Sequence, residues 1–334
     1  MAEIAETVRR PGIVTVGSVH MDVIAVADRL PVSGESLLGH TLAIQPGGKA
    51  GNQAAQVARL GARSTIIGRI GDDHFGRDLV ARLANAGVMT DYLTIDRQSP
   101  TGASPIFVGS DGDYASIIVP GTAALLSKDD LERARMAFEG AAIVMLQLEL
   151  PETITVETAK FARAAGATVM LNASPLSALP CSRDLWPYVD VLVVNLLEAR
   201  RLAEITSNRN VHADSDASTT ALAHTLRETF DIERIVITRG SKGAVAIDGN
   251  AAVSIPAIPV SVVNAIGAGD ALAGALLVGL ANGCSLFDSL PFAVAASAFA
   301  VTRAGGGFAS YGTQADIRSL MERHDIAESC LSLG

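Results

Sequence analysis

The chain has 334 residues, of which 49% are hydrophobic and 18% charged, and its formal net charge is −9. That length holds one large α/β domain or two modest ones with an ample core, and the composition is globular rather than disordered. An acidic protein offers no basic field to attract nucleic acid or an anionic membrane, so an anionic ligand has to be held by local N–H groups, a few cations and a metal.

Residues 1–12 carry Glu3, Glu6, Arg9 and Arg10 without an apolar core, so they form an N-terminal extension and no signal peptide is expected. Ile13 to Val16 then reads as a buried first strand ending at Gly17-Ser18, followed by His20, Asp22 and the apolar run Val23 to Val26. A second extended piece is predicted from Ser36 to Gln45. Pro46-Gly47-Gly48-Lys49-Ala50-Gly51-Asn52-Gln53 opens a helix that stops at Gly61. Ser64 to Gly68 predicts a strand, and Phe75 to Asn85 a helix ended by Gly87.

From Thr101 to Val119 the pattern becomes a hairpin, with Ser104 to Val108 and Tyr114 to Val119 flanking the Asp111-Gly112 turn. Together with the segments around Val23 and Leu42 it is expected to form a small second sheet. Strand–helix alternation follows, with strands at Ile143 to Leu146, Thr168 to Asn172, Val189 to Val194, Ile235 to Thr238 and Ala244 to Ile247. Helices are expected at Ile154 to Ala165 and Ala217 to Phe230, and a polar surface loop at Asn208 to Ser218. The alternation predicts a mostly parallel sheet covered on both faces, with ligands at the carboxyl ends of its strands. The most apolar stretch, Ala271 to Leu280, is too short to span a bilayer and is interrupted by Gly274 and Gly279. Cys181, Cys284 and Cys330 are far apart and form no C-x-x-C pair, so neither a zinc site nor a disulfide framework is expected, which fits a reducing cytoplasm.

Four stretches carry candidate chemistry. Gly267-Ala268-Gly269-Asp270 opens the apolar helix with glycines, where unpaired N–H groups and the dipole make an anion seat. An aspartate there opposes an anion unless it has its own task, such as accepting a proton. The bland alternative is a simple helix cap. Gly47-Gly48-Lys49-Ala50-Gly51-Asn52 suits a polyhydroxylated ligand, or equally a glycine turn with an asparagine N-cap. Asn195 and Glu198, three apart on one helix face, supply oxygens that suit Mg²⁺, but they also fit a capping box. Thr238-Arg239-Gly240-Ser241-Lys242-Gly243 offers backbone, hydroxyls and two cations to nucleotide phosphates, or is a hairpin between Ile235 to Ile237 and Val245 to Ile247. Among the histidines only His20 lies near these segments.

Taken together, these segments resemble the ribokinase-like (PfkB) family of sugar and nucleoside kinases, over about residues 13 to 322 and nearest to its ribokinase members. Gly47 to Ala54 is similar to the family's first signature and Gly267 to Asp270 to its second; Gly17-Ser18 with Asp22, Gln147-Leu148-Glu149, Asn172 to Pro175, Asn195 with Glu198, and Thr238 to Ser241 add to the likeness. The resemblance implies a three-layer α/β/α kinase domain over residues 13–330 with a β lid from about 20–46 and 100–120. It implies transfer of the ATP γ-phosphoryl group to a primary hydroxyl of a pentose such as ribose. By similarity Asp270 is the base, and the N–H groups of Gly267, Ala268 and Gly269 form the anion hole. His20, Asp22, Gly48, Lys49, Asn52 and Glu149 are implied to meet the sugar or the transferring group. Asn195, Thr238, Gly240, Ser241 and Gly243 are implied to meet the nucleotide, with Asn195 and Glu198 orienting Mg²⁺ partly through water. A homodimer through the lid is also implied.

Two departures qualify this. His20 stands where the family's ribokinase members have an asparagine beside the sugar, so a difference in the substrate's hydroxyl pattern or ring substituent is expected. Asn264-Ala265 replaces the usual Asp-Thr, and the segment after Arg303 is one residue longer. The family's monovalent-cation site, here Asn264, Ile266, Arg303, Gly305 and Ser310, therefore loses a charge, and K⁺ activation is expected to be weak or absent. Asparagine at that place also occurs in pseudouridine kinases, which keeps a nucleoside substrate (pseudouridine, inosine or adenosine) as the alternative. The reading from another class is a non-catalytic sugar or nucleotide sensor.

Overall fold

The computed structural model describes residues 12–110, 113–176, 183–207, 215–327 and 330. The extension, the Asp111-Gly112 turn tip, Cys181, His212 and most of the expected loop at Asn208 to Ser218 lie outside the described residues.

In chain order the elements are β1 (Gly12–Val16), β2 (His20–Ala27), β3 (Thr41–Gly47), α1 (Lys49–Arg59), β4 (Arg63–Gly71), α2 (His74–Asn85), β5 (Met89–Asp96), β6 (Thr101–Gly109), β7 (Tyr114–Ser116) and β8 (Val119–Gly121). Then follow α3 (Lys128–Arg133), α4 (Arg135–Glu139), β9 (Ala141–Gln147), α5 (Glu152–Ala164), β10 (Thr168–Asn172), β11 (Val191–Asn195), α6 (Leu196–Ser207) and α7 (Asp216–Phe230). The last third holds β12 (Arg234–Thr238), β13 (Ala244–Asp248), β14 (Ala251–Ile255), α8 (Ala268–Ala281), α9 (Leu286–Val301) and α10 (Gln314–Arg323).

Nine strands form the main sheet in the order β14-β13-β12-β11-β10-β9-β1-β4-β5. Pairing is parallel from β5 to β12 and antiparallel at the β12–β13–β14 edge. The strands are apolar throughout because both faces are covered, and successive residues feed opposite cores. Val14, Val144, Leu146, Val169, Leu192 and Ile235 join the core under α5, α6 and α7. Ile13, Ile143, Met145, Met170, Val191 and Val236 join the one under α8, α9 and α10. The result is the three-layer α/β/α arrangement.

Helix α8 is buried from Asp270 to Gly279, as expected of a helix that is apolar all round. Its two interrupting glycines mark close approaches. A Cβ on Gly274 would sit 2.7 Å from the Gln56 Cβ of α1, and one on Gly279 would sit 2.4 Å from the Ser289 Oγ of α9. Among the described residues no helix is long and apolar enough to cross a membrane.

The second sheet runs β3-β2-β6-β7, with β8 also on β6. β2 pairs antiparallel with β3 and parallel with β6, so the early segment and the hairpin join as expected. Three expectations change. The strand expected from Tyr114 to Val119 is split into β7 and β8, both paired with β6. The extended piece from Ser36 becomes a strand only at Thr41. Cys284 and Cys330 form a disulfide, with Cα atoms 5.8 Å apart across 46 residues. A search for local C-x-x-C spacing cannot find such a pair, and the compartment inferred from the cysteines loses that support.

Candidate active site

The site collects where β1, β9 and β10 end and where α1 and α8 begin. Gly267, the N-cap of α8, has φ 82°, a left-handed conformation that favours glycine. A Cβ there would lie 2.7 Å from the Tyr311 Oη and 2.9 Å from the Gly307 Cα, so the position is also sterically closed. Tyr311 Oη donates to the Gly267 carbonyl at 2.9 Å and holds this turn. Ala268 N–H makes only a long 3.3 Å contact to the Ala265 carbonyl. Gly269 faces open space, with nothing within 4 Å of where a Cβ would project. First-turn N–H groups and a clear approach therefore meet at one helix mouth.

Asp270 lies one residue further in and is 6% exposed. Asn52 Nδ2 donates to its Oδ2 at 2.9 Å, and Gln53 Nε2 to its Oδ1 at 2.9 Å. Burial pushes its carboxyl above the ordinary carboxylate range, against the opposing pull of the Lys49 charge and the Asn52 hydrogen bond. A carboxylate held in this way is a better proton acceptor than a solvated one.

Helix α1 reaches this carboxylate because its entry is stripped of side chains. Gly48 has φ 87°, and a Cβ there would meet the Ser18 carbonyl at 2.6 Å; one on Gly47 would meet the Asp22 carboxylate at 2.5 Å. The N-cap of α1 is Gly48, not Asn52. Asn52 is inside the helix and bridges Asp270 to the Phe308 N–H, which its Oδ1 accepts at 3.2 Å. Glu149 caps α1 from below, accepting the Lys49 N–H at 3.0 Å and the Ser18 hydroxyl.

On β2 of the second sheet, His20 Nε2 lies 3.3 Å from Asp22 Oδ1, both side chains being buried. Asp22 is opposite Gln45 in the β2–β3 ladder. His20 Nδ1 and Gln45 Nε2 are buried with no hydrogen-bond partner among the described residues. Buried polar atoms of that kind call for a partner of their own. Gln45 carries no local sequence signal, because its role appears only when β2 and β3 pair.

Further along the sheet, Asn195 and Thr238 are register partners at the ends of β11 and β12. Asn195 N–H donates to Glu198 Oε2 at 2.9 Å, and Glu198 N–H to Asn195 Oδ1 at 2.8 Å, which realises the capping box. The Thr238–Gly243 stretch is the tight link between antiparallel β12 and β13, so the hairpin reading holds. Gly240 and Ser241 are exposed there. Gly243 packs inward, its Cβ position being 2.0 Å from the Ile255 carbonyl. Arg239 changes role: its side chain, 3% exposed, pairs with Asp216 and donates to the Lys242 carbonyl at 3.0 Å. It braces the turn from inside, and Lys242 is the exposed cation of the stretch.

Asn264 Oδ1 accepts the Ile266 N–H at 2.9 Å, and its Nδ2 lies 3.1 Å from the Cβ position of Gly306. Gly305, Gly306 and Gly307 have φ values of 110°, 66° and 52°, which bring that loop against Asn52 and the Pro46 carbonyl. Ser310 Oγ donates to the Gly307 carbonyl at 2.8 Å. Arg303 lies over the Phe299 ring, 4.7 Å from its centroid. Among the described residues no group of three or more His, Cys, Asp or Glu has metal-holding geometry.

A buried carboxylate beside the first turn of an apolar helix, with a small second sheet next to it, is an arrangement suited to a small-molecule phosphotransferase. The model of the pfkB family of carbohydrate kinases matches residues 10–311, and the chain belongs to that family. It is 33% identical to the ribokinase of Mus musculus over 271 residues, 80% of this chain and 81% of that one. Its fold is similar to that of Arabidopsis thaliana ribokinase solved with ribose and ATP (TM-score 0.83, 30% identity, 94% and 99% of the two chains). It is also similar to the Cryptococcus neoformans ribokinase solved with ADP (TM-score 0.80, 27% identity, 94% and 99% covered). As a member of the family, the protein is a kinase acting on a sugar hydroxyl.

Proposed function

We propose that the enzyme transfers the γ-phosphoryl group of ATP to the primary hydroxyl of a pentose such as ribose. The observation that carries this reading is Asp270, buried at the open mouth of α8 with its pKa raised by burial. In the proposed step Asp270 takes the hydroxyl proton, the hydroxyl oxygen forms the new bond to phosphorus, and the bond to the ADP oxygen breaks. The N–H groups of Gly267, Ala268 and Gly269 take up the charge that builds on the phosphoryl oxygens. Lys49 and Asp22, beside the glycine turn, meet the transferring group and the sugar. Asn195, Thr238, Gly240 and Ser241 would take the nucleotide. Asn195 and Glu198 form an all-oxygen donor pair of the kind that holds Mg²⁺ through its waters; Mg²⁺ when bound neutralises phosphate charge.

A second reading, a nucleoside kinase with the same chemistry, draws on His20 Nδ1 and Gln45 Nε2, which offer hydrogen-bonding capacity beyond that of the Asp22 carboxylate. ADP release measured over pentoses, 2-deoxypentoses, ketohexoses and nucleosides tests both. Ribose-selective turnover supports the first, and turnover confined to nucleosides overturns it.

Cation dependence follows from Asn264, an amide already bonded to the Ile266 N–H and bringing no negative charge to the loop. Adding K⁺ to enzyme in a buffer free of K⁺ is expected to leave kcat unchanged, and strong stimulation would contradict this.

The lid also supports a homodimer. Leu42 (67% exposed), Ile44 (48%) and Phe107 (40%) share one face of the sheet through their register with Ala25 and Val23. An exposed apolar patch of this kind seeks a partner, here a second copy. Sedimentation velocity is expected to show a dimer that the double variant Leu42→Lys, Phe107→Lys converts to monomer; a monomeric wild type would sink the idea.

A further inference from the structure

Behind Asp270 lies a chain of side-chain amides that the reading above leaves without a task. Gln53 on α1 is 0% exposed. Its Nε2 donates both to Asp270 Oδ1 at 2.9 Å and to Asn172 Oδ1 at 3.2 Å, and its Oε1 accepts from Gln147 Nε2 at 2.5 Å. Asn172, at the end of β10, donates to the Val193 backbone carbonyl at 3.1 Å.

The direction of this chain is fixed by its far end. A backbone carbonyl only accepts, so Asn172 must present Nδ2 to Val193 and Oδ1 to Gln53. Gln53 must then turn its NH₂ toward Asn172, and the second hydrogen of that group falls on Asp270. Its Oε1 is left needing a donor, which Gln147 at the end of β9 supplies. Gln147 has room because Gly17 has no side chain; a Cβ there would lie 2.1 Å from Gln147 Oε1. Three strand and helix ends thus combine to point one N–H at one carboxylate oxygen.

We propose that Gln53, steered by Asn172 and Gln147, is a positioning residue that fixes the Asp270 carboxylate for proton acceptance and favours its ionised form. This rests on Asp270 being the base. The other groups facing Asp270 are Lys49 and Asn52 from α1, Glu149 from the segment after β9, and Tyr311 from the segment before α10. Lys49 favours the ionised form and Glu149 disfavours it, and neither changes in the variants below.

The test is the pH profile of kcat/KM, measured with the best substrate of the panel, for Gln53→Met and Gln147→Met beside wild type. A hydrogen bond to a charged group is stronger than one between neutral groups, so its loss is felt in both rate and titration. Gln53→Met is therefore expected to lower kcat by about tenfold or more and to move the acid limb up by about one pH unit. KM for ATP should stay near the wild-type value. Gln147→Met, which leaves the Gln53 donor present and steered by Asn172 alone, should move the limb the same way by less. A limb unmoved in both variants, or a kcat loss without a shift, would overturn the proposal. If Gln53→Met does not fold, Gln147→Met alone decides. The base assignment stands or falls separately: turnover surviving in Asp270→Asn removes it, whereas an inactive Asp270→Asn with unshifted glutamine variants removes only the relay.

Discussion

Replacing Asp270 by asparagine is expected to cut turnover by about 10²–10⁴-fold while sugar and nucleotide still bind. An amide cannot accept the hydroxyl proton, but it fills the same space between Asn52 and Gln53. Stability should change little, because two effects oppose. The buried charge disappears, and one amide N–H now faces the N–H of Asn52 or Gln53, where the carboxylate had accepted both. Steady-state kinetics with calorimetric binding checks this. The pH dependence follows from the same residue. Burial raises the folded pKa of Asp270 above its unfolded value, so its protonated form is favoured by the fold. Lowering the pH through that raised value should therefore remove activity while making the protein slightly more stable with respect to this group. Activity that persisted unchanged into the ordinary carboxylate range would contradict the assignment.

Two neighbouring glycines should fail in opposite ways. Gly267→Ala forces a side chain into a left-handed position already closed by Tyr311 and Gly307. It is expected to cost about 1–3 kcal/mol of stability. It should also lower kcat by about 10²–10³-fold, since the first-turn donors shift. Gly269→Ala meets nothing within 4 Å and lies in a helix, where alanine is the better residue. The protein should therefore melt no lower than wild type, yet lose activity, because in the proposed mechanism the phosphoryl group approaches through the space that the new methyl group fills. Thermal unfolding and kcat measured together separate the two. A fully active Gly269→Ala would mean that the phosphoryl group does not approach over that residue.

The turns of this site were legible in the sequence and its partnerships were not. Gly267 and Gly47-Gly48 stand out because left-handed or crowded backbone admits only glycine, and such constraints are local. The Asn195–Glu198 capping box was legible for the same reason. Asn52 and Gln53, by contrast, meet Asp270 across 218 and 217 residues. The resemblance implies a place for Asn52 beside the sugar, but neither it nor the local pattern shows the bonds of Asn52 and Gln53 to Asp270. Arg239 looked like a phosphate ligand because its neighbours do, and only the packing of α7 against β13 and β14 reveals Asp216 as its partner. Helix α9 escaped the sequence reading because it is apolar on every side and so has no periodic face. The parallel core strands showed themselves as short apolar runs, whereas β14, half exposed at the sheet edge, did not.

The most direct test of the whole account follows the phosphorus itself. ³¹P NMR of wild-type enzyme with ATP, Mg²⁺ and ribose should show the γ-phosphate signal disappear as ADP and a single primary phosphate monoester of the sugar appear in equal amounts, with no change in the Asp270→Asn reaction. Release of inorganic phosphate in place of the monoester, or the same monoester formed by Asp270→Asn at the wild-type rate, would contradict it.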